Sequence, residues 1–235
     1  MFRGKTEARE NMRKALIVGF LALVAGFYIS SYTVSYAVEG TLESRGPDLH
    51  AEKPEGYPVA TLAGGCFWCL ESEFRVLEGV LHTRVGYNGG ALDNPGYRDI
   101  TTGLTGHAES IEITYDPEKI SYKDLVEFFL VTAHDPTQLN RQGVDVGTQY
   151  RSEIFYHNDE QREIAETLIQ EINDKGVYSK PIVTQLNAVP KFWEAEGYHQ
   201  QYYEKYEQNS GRVHPRVVYK KQQKALKEVG KTLDY

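Results

Sequence analysis

Sulfur is scarce in this chain. Its 235 residues include only two cysteines, Cys66 and Cys69, and two methionines. So few thiols exclude a disulfide-stapled scaffold and a four-cysteine zinc centre. Positive charge is also short, leaving a formal net charge of −7. That deficit argues against nucleic-acid binding through phosphate contacts. Hydrophobic residues at 40% and charged residues at 25% match an ordinary globular chain, so one domain plus extensions is expected.

Charge vanishes altogether in one stretch. Ala15–Ala37 carries none, and it follows a net-basic segment containing Arg3, Lys5, Arg9, Arg13 and Lys14. Ala15–Ile29 has the length of a signal-peptide apolar region, and with Ser30–Ala37 added the stretch is long enough to span a bilayer. Ser35-Tyr36-Ala37 offers small residues for a cleavage site. Residues 1–37 are therefore expected to be a cleaved export signal, or an N-terminal membrane anchor with its basic end in the cytoplasm. Either would place the folded part in the cell envelope or periplasm. A buried helix of the domain suits the basic flank less well. Residues 38–57, with Gly40, Gly46, Pro47, Pro54 and Gly56 among charges, read as a linker. The folded domain is expected over 58–212, followed by a polar extension over 213–235.

Within the domain the patterns alternate. Val59–Ala63 is a short apolar run closed by Gly64-Gly65, as in a buried strand, and a helix follows over Cys66–Val76. Leu81, Thr83, Val85 and Tyr87 alternate with His82, Arg84 and Gly86 in a second strand. Asn88–Gly106 reads as a long loop and Ala108–Tyr115 as a third strand. Ser121 with Asp124 caps a helix whose Tyr122, Leu125, Val126, Phe129 and Ala133 recur on one face. His134–Gly147 is irregular, Tyr150–Tyr156 is a fourth strand, and Asn158 starts a helix that Gly176 stops. Ile182–Val189 reads as a last strand and Lys191–Gln208 as a Tyr-rich helix or extended tail. The opening order is strand, helix, strand, strand, helix, strand. It predicts an α+β fold, a ferredoxin-like split βαβ two-layer sandwich with a C-terminal helical or irregular extension.

Cys66-Phe67-Trp68-Cys69 has several possible meanings. Half of a zinc site needs two further ligands, and the seven histidines offer no close pair at ligand spacing. A structural disulfide would close only a tiny loop and contribute little. Haem attachment fails because Leu70, not His, follows Cys69. Redox or nucleophilic chemistry fits best: Cys66 would open a helix, where the dipole favours a thiolate and lowers the pKa. A protein disulfide oxidoreductase remains the alternative, although Phe67 and Trp68 are bulkier than the residues such enzymes place between their thiols. The two aromatics are either core or the wall of a small apolar pocket. Glu109 lies on the face of its strand shared with Ile111, Ile113 and Tyr115, so burial should raise its pKa and keep it neutral; an ion-paired strand-end carboxylate is the competing possibility.

These residues carry a resemblance. GCFWCLE, GYNGG (Gly86–Gly90), NPGYRDI (Asn94–Ile100), TGHAESIEITYDP (Thr105–Pro117), HDPTQLNRQGVDVGTQYRS (His134–Ser152) and YHQQYY (Tyr198–Tyr203) occur in the order found in the peptide methionine sulfoxide reductases of the A type. The likeness runs from Pro58 to Gln208. It implies reduction of methionine S-sulfoxide, free or in oxidised proteins under repair, with Cys66 as nucleophile and Glu109 as acid. Phe67 and Trp68 would hold the S-methyl group, and Tyr97, Asp145 and Tyr150 would surround the sulfoxide with Glu109. His107, His199 and Tyr202 would stand behind them. Many members have Gly where this chain has Cys69 and carry recycling cysteines near the C-terminus. None exists here after Cys69, so Cys69 is expected to resolve the Cys66 sulfenic acid. No metal or bound cofactor is implied; a thioredoxin-like protein, or dithiothreitol in vitro, would be the reductant.

Overall fold

The computed structural model describes residues 52–211. The expected export segment 1–37, most of the linker and the 213–235 extension lie outside the described residues.

The centre is β1 (Val59–Gly64), whose last five residues are all buried. It pairs antiparallel with β3 (Ala108–Tyr115) on one side and β6 (Ser152–Tyr156) on the other. β2 (Val80–Asn88) pairs antiparallel with β3. These four strands therefore lie in the order β6-β1-β3-β2, the arrangement expected of a split βαβ sandwich. Two short edges extend it to six strands: β7 (Gln185–Ala188), parallel to β6, and β8 (Trp193–Glu194), antiparallel to β2. A separate hairpin, β4 (Arg141–Gln142) with β5 (Asp145–Val146), occupies the predicted His134–Gly147 loop.

Helices cover one face. α1 (Phe67–Phe74) follows β1, and α3 (Tyr122–Phe128) follows β3 and runs on as a π-helical turn over Phe129–Ala133. Ser121 Oγ accepts the Asp124 N–H, and Asp124 Oδ2 accepts the Ser121 N–H, each at 3.1 Å, so the predicted capping box forms. α4 (Asp159–Asp174) starts at Asn158, whose side chain accepts the Gln161 N–H, and the chain leaves it at Gly176 with φ +61°. Leu70, Phe74, Leu125, Val126, Ala165 and Leu168 meet Ala60, Leu62, Ile111 and Ile113 in the main core. The register places Val85 opposite Ile111 and Tyr87 opposite Glu109, so Glu109 shares the helix-covered face. The other face carries Glu112, held at 2.7 Å by Arg84 and 2.8 Å by Lys53.

Several expectations need correction. Leu81 does not point into the core. A bulge between Val80 and His82 puts Val80 there instead, because the extra residue reverses the alternation. Asn88–Gly106 is not wholly irregular: α2 (Tyr97–Thr101) forms inside it. Tyr150 belongs to a 3₁₀ turn over Thr148–Tyr150 rather than to the fourth strand. The predicted Ile182–Val189 strand pairs only over Gln185–Ala188. Lys191–Gln208 is divided: it begins with β8, and helix α5 (Tyr202–Ser210) starts only after an irregular turn.

Candidate active site

Two glycines bring Cys66 to its place. Gly65 has φ +94°, and a Cβ there would come within 2.6 Å of the Gln142 side chain. A Cβ on Gly64 would come within 2.8 Å of the Phe129 ring. Only glycines let β1 turn this tightly into α1. Cys66 becomes the N-cap of α1, and its carbonyl accepts the Cys69 and Leu70 N–H groups at 3.1 and 3.3 Å. Both thiols are free and half-buried.

Glu109 closes the floor. It is 2% exposed, and Oε2 accepts the Phe67 N–H at 3.1 Å. Burial pushes its pKa up to about 8, against the opposing Phe67 N–H, and the charges of Asp145 and Cys69 add to the rise. Burial thus favours the neutral carboxyl group.

The thiol pair departs from expectation. The Cys66 thiol is raised, first by its hydrogen bond to Cys69, then by burial and by the charges of Cys69 and Glu109. Cys69 is lowered, mainly by Cys66, with the Tyr203 hydroxyl helping against burial. The start of α1 does not outweigh a second sulfur at closer range. Within the pair, negative charge is therefore favoured on Cys69 over Cys66.

Aromatic rings form the wall. Phe67 is buried, 6.1 Å from Trp68 between centroids and 6.0 Å from Tyr87. Trp68 stacks on Tyr202 at 3.9 Å, and its Nε1–H donates to His199 Nδ1 at 3.1 Å. Tyr97 lies 4.4 Å from the His199 ring. Burial raises the pKa of Tyr97 and Tyr150, and the charges of Glu109, Cys66 and Asp145 act on both. Burial also raises Asp145, on the β4–β5 hairpin. Cys66, Phe67, Trp68, Cys69, Tyr97, Glu109, Asp145 and Tyr150 are thus brought together at one end of the sheet. Among the described residues, neither the Tyr97 nor the Tyr150 hydroxyl has a hydrogen-bond partner, so each is free to donate to a bound oxygen.

Some contributors were not singled out from sequence. Glu196 accepts the Tyr97 N–H at 3.0 Å and the Tyr87 hydroxyl at 2.8 Å, fixing α2 against the pocket. Tyr203 places its hydroxyl 3.4 Å from the Cys69 sulfur. Glu71 accepts the Gln201 N–H at 2.7 Å and the Thr83 hydroxyl at 2.9 Å, tying α1 to the start of α5. Glu71 directly follows Cys69-Leu70 and ends the GCFWCLE motif, which was the available signal. His107 does not reach the pocket. It braces the loop after β2, accepting the Gly90 N–H at 3.1 Å and contacting the Leu92 carbonyl at 2.8 Å.

Comparison with known proteins gives this arrangement a context. The family model described as peptide methionine sulfoxide reductase matches residues 58–232. The peptide methionine sulfoxide reductase MsrA of Methanothermobacter thermautotrophicus is 54% identical over 149 residues, covering 63% of this chain and 88% of that relative. The reduced form of Mxr1 from Saccharomyces cerevisiae is 30% identical with a TM-score of 0.62, covering 74% of this chain and 97% of Mxr1. Methionine sulfoxide reductase A of Corynebacterium diphtheriae is 33% identical with a TM-score of 0.61, covering 78% and 92%. The chain belongs to the peptide methionine sulfoxide reductase family.

Proposed function

We propose that this chain reduces the S epimer of methionine sulfoxide, using Cys66 as nucleophile, Glu109 as acid and Cys69 as the resolving thiol. Family membership makes it an oxidoreductase acting on methionine sulfoxide. What carries the assignment of roles is the neutral, buried Glu109 carboxyl, bonded to the first N–H after Cys66.

A sulfoxide is a poor electrophile until its oxygen is protonated. Glu109 supplies that proton, and the free Tyr97 and Tyr150 hydroxyls donate to the same oxygen. Phe67 and Trp68 receive the S-methyl group. One pocket for methyl and another for oxygen select one configuration at sulfur. As Cys66 attacks, its proton passes to the Cys69 thiolate. The S–O bond then transfers to Cys66, methionine leaves, and Cys66 is a sulfenic acid. Attack by Cys69 forms the disulfide and releases water, one proton of which came from Glu109 and one from the Cys69 thiol.

A thioredoxin-like dithiol protein would reopen that disulfide by exchange, and no bound cofactor enters the cycle. The uncharged Ala15–Ala37 stretch with its basic flank supports export to the cell envelope, through a cleaved signal or a membrane anchor. Incubation with excess free methionine S-sulfoxide and no reductant tests the thiol roles. The wild type should release one methionine per chain and end with a Cys66–Cys69 disulfide. Reduction of insulin disulfides without any reaction on sulfoxide would favour the oxidoreductase alternative instead.

A further inference from the structure

The Tyr203 hydroxyl has no part in sulfoxide reduction as described above, yet it lies 3.4 Å from the Cys69 sulfur and its residue is 6% exposed. Its position is built rather than incidental. Gln201 sits in the left-handed region at φ +48°, just before α5. Glu71 on α1 holds it there, accepting the Gln201 backbone N–H at 2.7 Å and side-chain N–H at 3.1 Å. Arg75, the C-cap of α1, pairs with Glu204 at 3.3 Å. Trp68 stacks on Tyr202 and meets Tyr203 edge-on at 6.5 Å. Two residues of α1 and its C-cap therefore clamp the start of α5 and set the phenol beside the sulfur.

We propose that Tyr203 is a catalytic residue of the recycling half of the reaction, donating a hydrogen bond to the Cys69 sulfur as that sulfur attacks the Cys66 sulfenic acid. This rests on Cys69 being the resolving thiol. In that step a Cys69 lone pair forms the S–S bond and the Cys66 S–O bond breaks. Hydroxide leaves and becomes water with the proton given up by the Cys69 thiol. Cys66 is thereby reduced from sulfenic acid to the disulfide level, and Cys69 is oxidised to it.

The surroundings of Cys69 make a donor necessary. Burial and the charges of Asp145 on β5 and Glu73 on α1 disfavour a thiolate at Cys69, and Glu109 on β3 lies near enough for the Cys69 charge to raise its pKa. Once Cys66 is a sulfenic acid its thiol no longer shares the charge, and among the described residues the Tyr203 hydroxyl is the other side-chain group that favours a thiolate there. A hydrogen bond to a charged group changes the thiolate population by about one to two orders of magnitude. Nucleophilicity falls as the pKa falls and cancels about half of that on a logarithmic scale. The net contribution to resolution is then about three- to tenfold.

The test uses the full chain. The Cys66 sulfenic acid is generated with methionine S-sulfoxide, and its lifetime is read by trapping with a 1,3-dione at set delays. In Tyr203→Phe it should persist about three- to tenfold longer than in the wild type. In a Cys66→Ser background, iodoacetamide alkylation of Cys69 against pH should move to higher pH with Tyr203→Phe. It should move to lower pH with 3-fluorotyrosine at position 203, whose more acidic phenol is a better donor of nearly the same shape. The fluorinated variant keeps the test open if Tyr203→Phe fails to fold. An unchanged sulfenic acid lifetime together with an alkylation profile indifferent to the phenol would overturn the role of Tyr203. Cys69→Ser separates the two ideas: a long-lived sulfenic acid there, alongside a wild-type lifetime in Tyr203→Phe with Cys69 present, sinks only the tyrosine. A sulfenic acid that decays at the wild-type rate without Cys69 sinks both.

Discussion

In the proposed reaction Glu109 is the side chain that supplies the proton. Its neighbours offer it one hydrogen bond, from the Phe67 N–H, and an otherwise desolvated strand face. Glu109→Gln keeps the shape and removes the transferable proton. Single-turnover methionine release should fall by roughly two to four orders of magnitude, the usual worth of a positioned general acid. The wild-type rate should decline on the alkaline side with a midpoint near the Glu109 pKa of about 8, and the variant should lose that limb. Stability falls in the same direction with pH. The folded state binds this proton more tightly than the unfolded chain does. The contribution is therefore complete below the ordinary value of 4.5 and is lost as pH rises through about 8. At pH above 8, denaturant titration should find Glu109→Gln more stable than the wild type, by on the order of a few kcal/mol. Cys69→Ser should still yield one methionine per chain in a single turnover while multiple turnover with a dithiol protein collapses; sustained turnover would contradict the resolving role.

At the scale of elements, the site depends on how α1, α2 and α5 are fastened to one end of the sheet. Gly65→Ala forces a positive φ on a residue with a Cβ and drives that atom into Gln142, whose amide oxygen accepts the Asp135 N–H. The strain should cost about 1–3 kcal/mol, seen as a lower Tm. Tyr202→Ala removes the stack on Trp68, and an aromatic pair of this kind is worth about 0.5–1.5 kcal/mol. The expected result is a two- to tenfold rise in KM for sulfoxide, with about those limits set by the pair energy. An unchanged KM would remove Tyr202 from the pocket.

Which elements were legible in the sequence follows from how locally each is determined. The strand, helix, strand, strand, helix, strand order was readable because each element buries a face with its own period. Ser121 with Asp124 and Asn158 also announce their helices at close range. α2 was not readable. It is five residues long, and its first N–H depends on Glu196, far along the chain. Leu81 misled because one bulge reverses the alternation of a whole strand end. The site residues near the thiols came from motifs, and Glu109 also from its strand face. Tyr203 lies in the YHQQYY motif, but as one among 17 tyrosines it had nothing to mark it as a partner of Cys69. The shift at Cys66 was missed because a dipole argument treats one thiol alone, whereas two sulfurs share a charge here.

For the whole molecule, the described domain holds both thiols of the proposed catalytic cycle. It needs from outside only an oxidised methionine and a source of two electrons. The acidic chain and its net-basic start divide the labour: the domain carries the chemistry, and residues 1–37 carry the proposed address. N-terminal sequencing of the mature protein from cell-envelope fractions should begin near Val38 if the segment is a signal, or at the native start if it is an anchor. Recovery of the chain entirely in the cytosol would contradict export. The claim most central to the account is stereospecific reduction through Cys66. Methionine release should therefore be measured separately from the S and R epimers of methionine sulfoxide, with dithiothreitol as reductant, for the wild type and Cys66→Ser. The account predicts turnover of the S epimer alone, abolished in Cys66→Ser. Equal turnover of both epimers, or activity that survives the loss of Cys66, would contradict it.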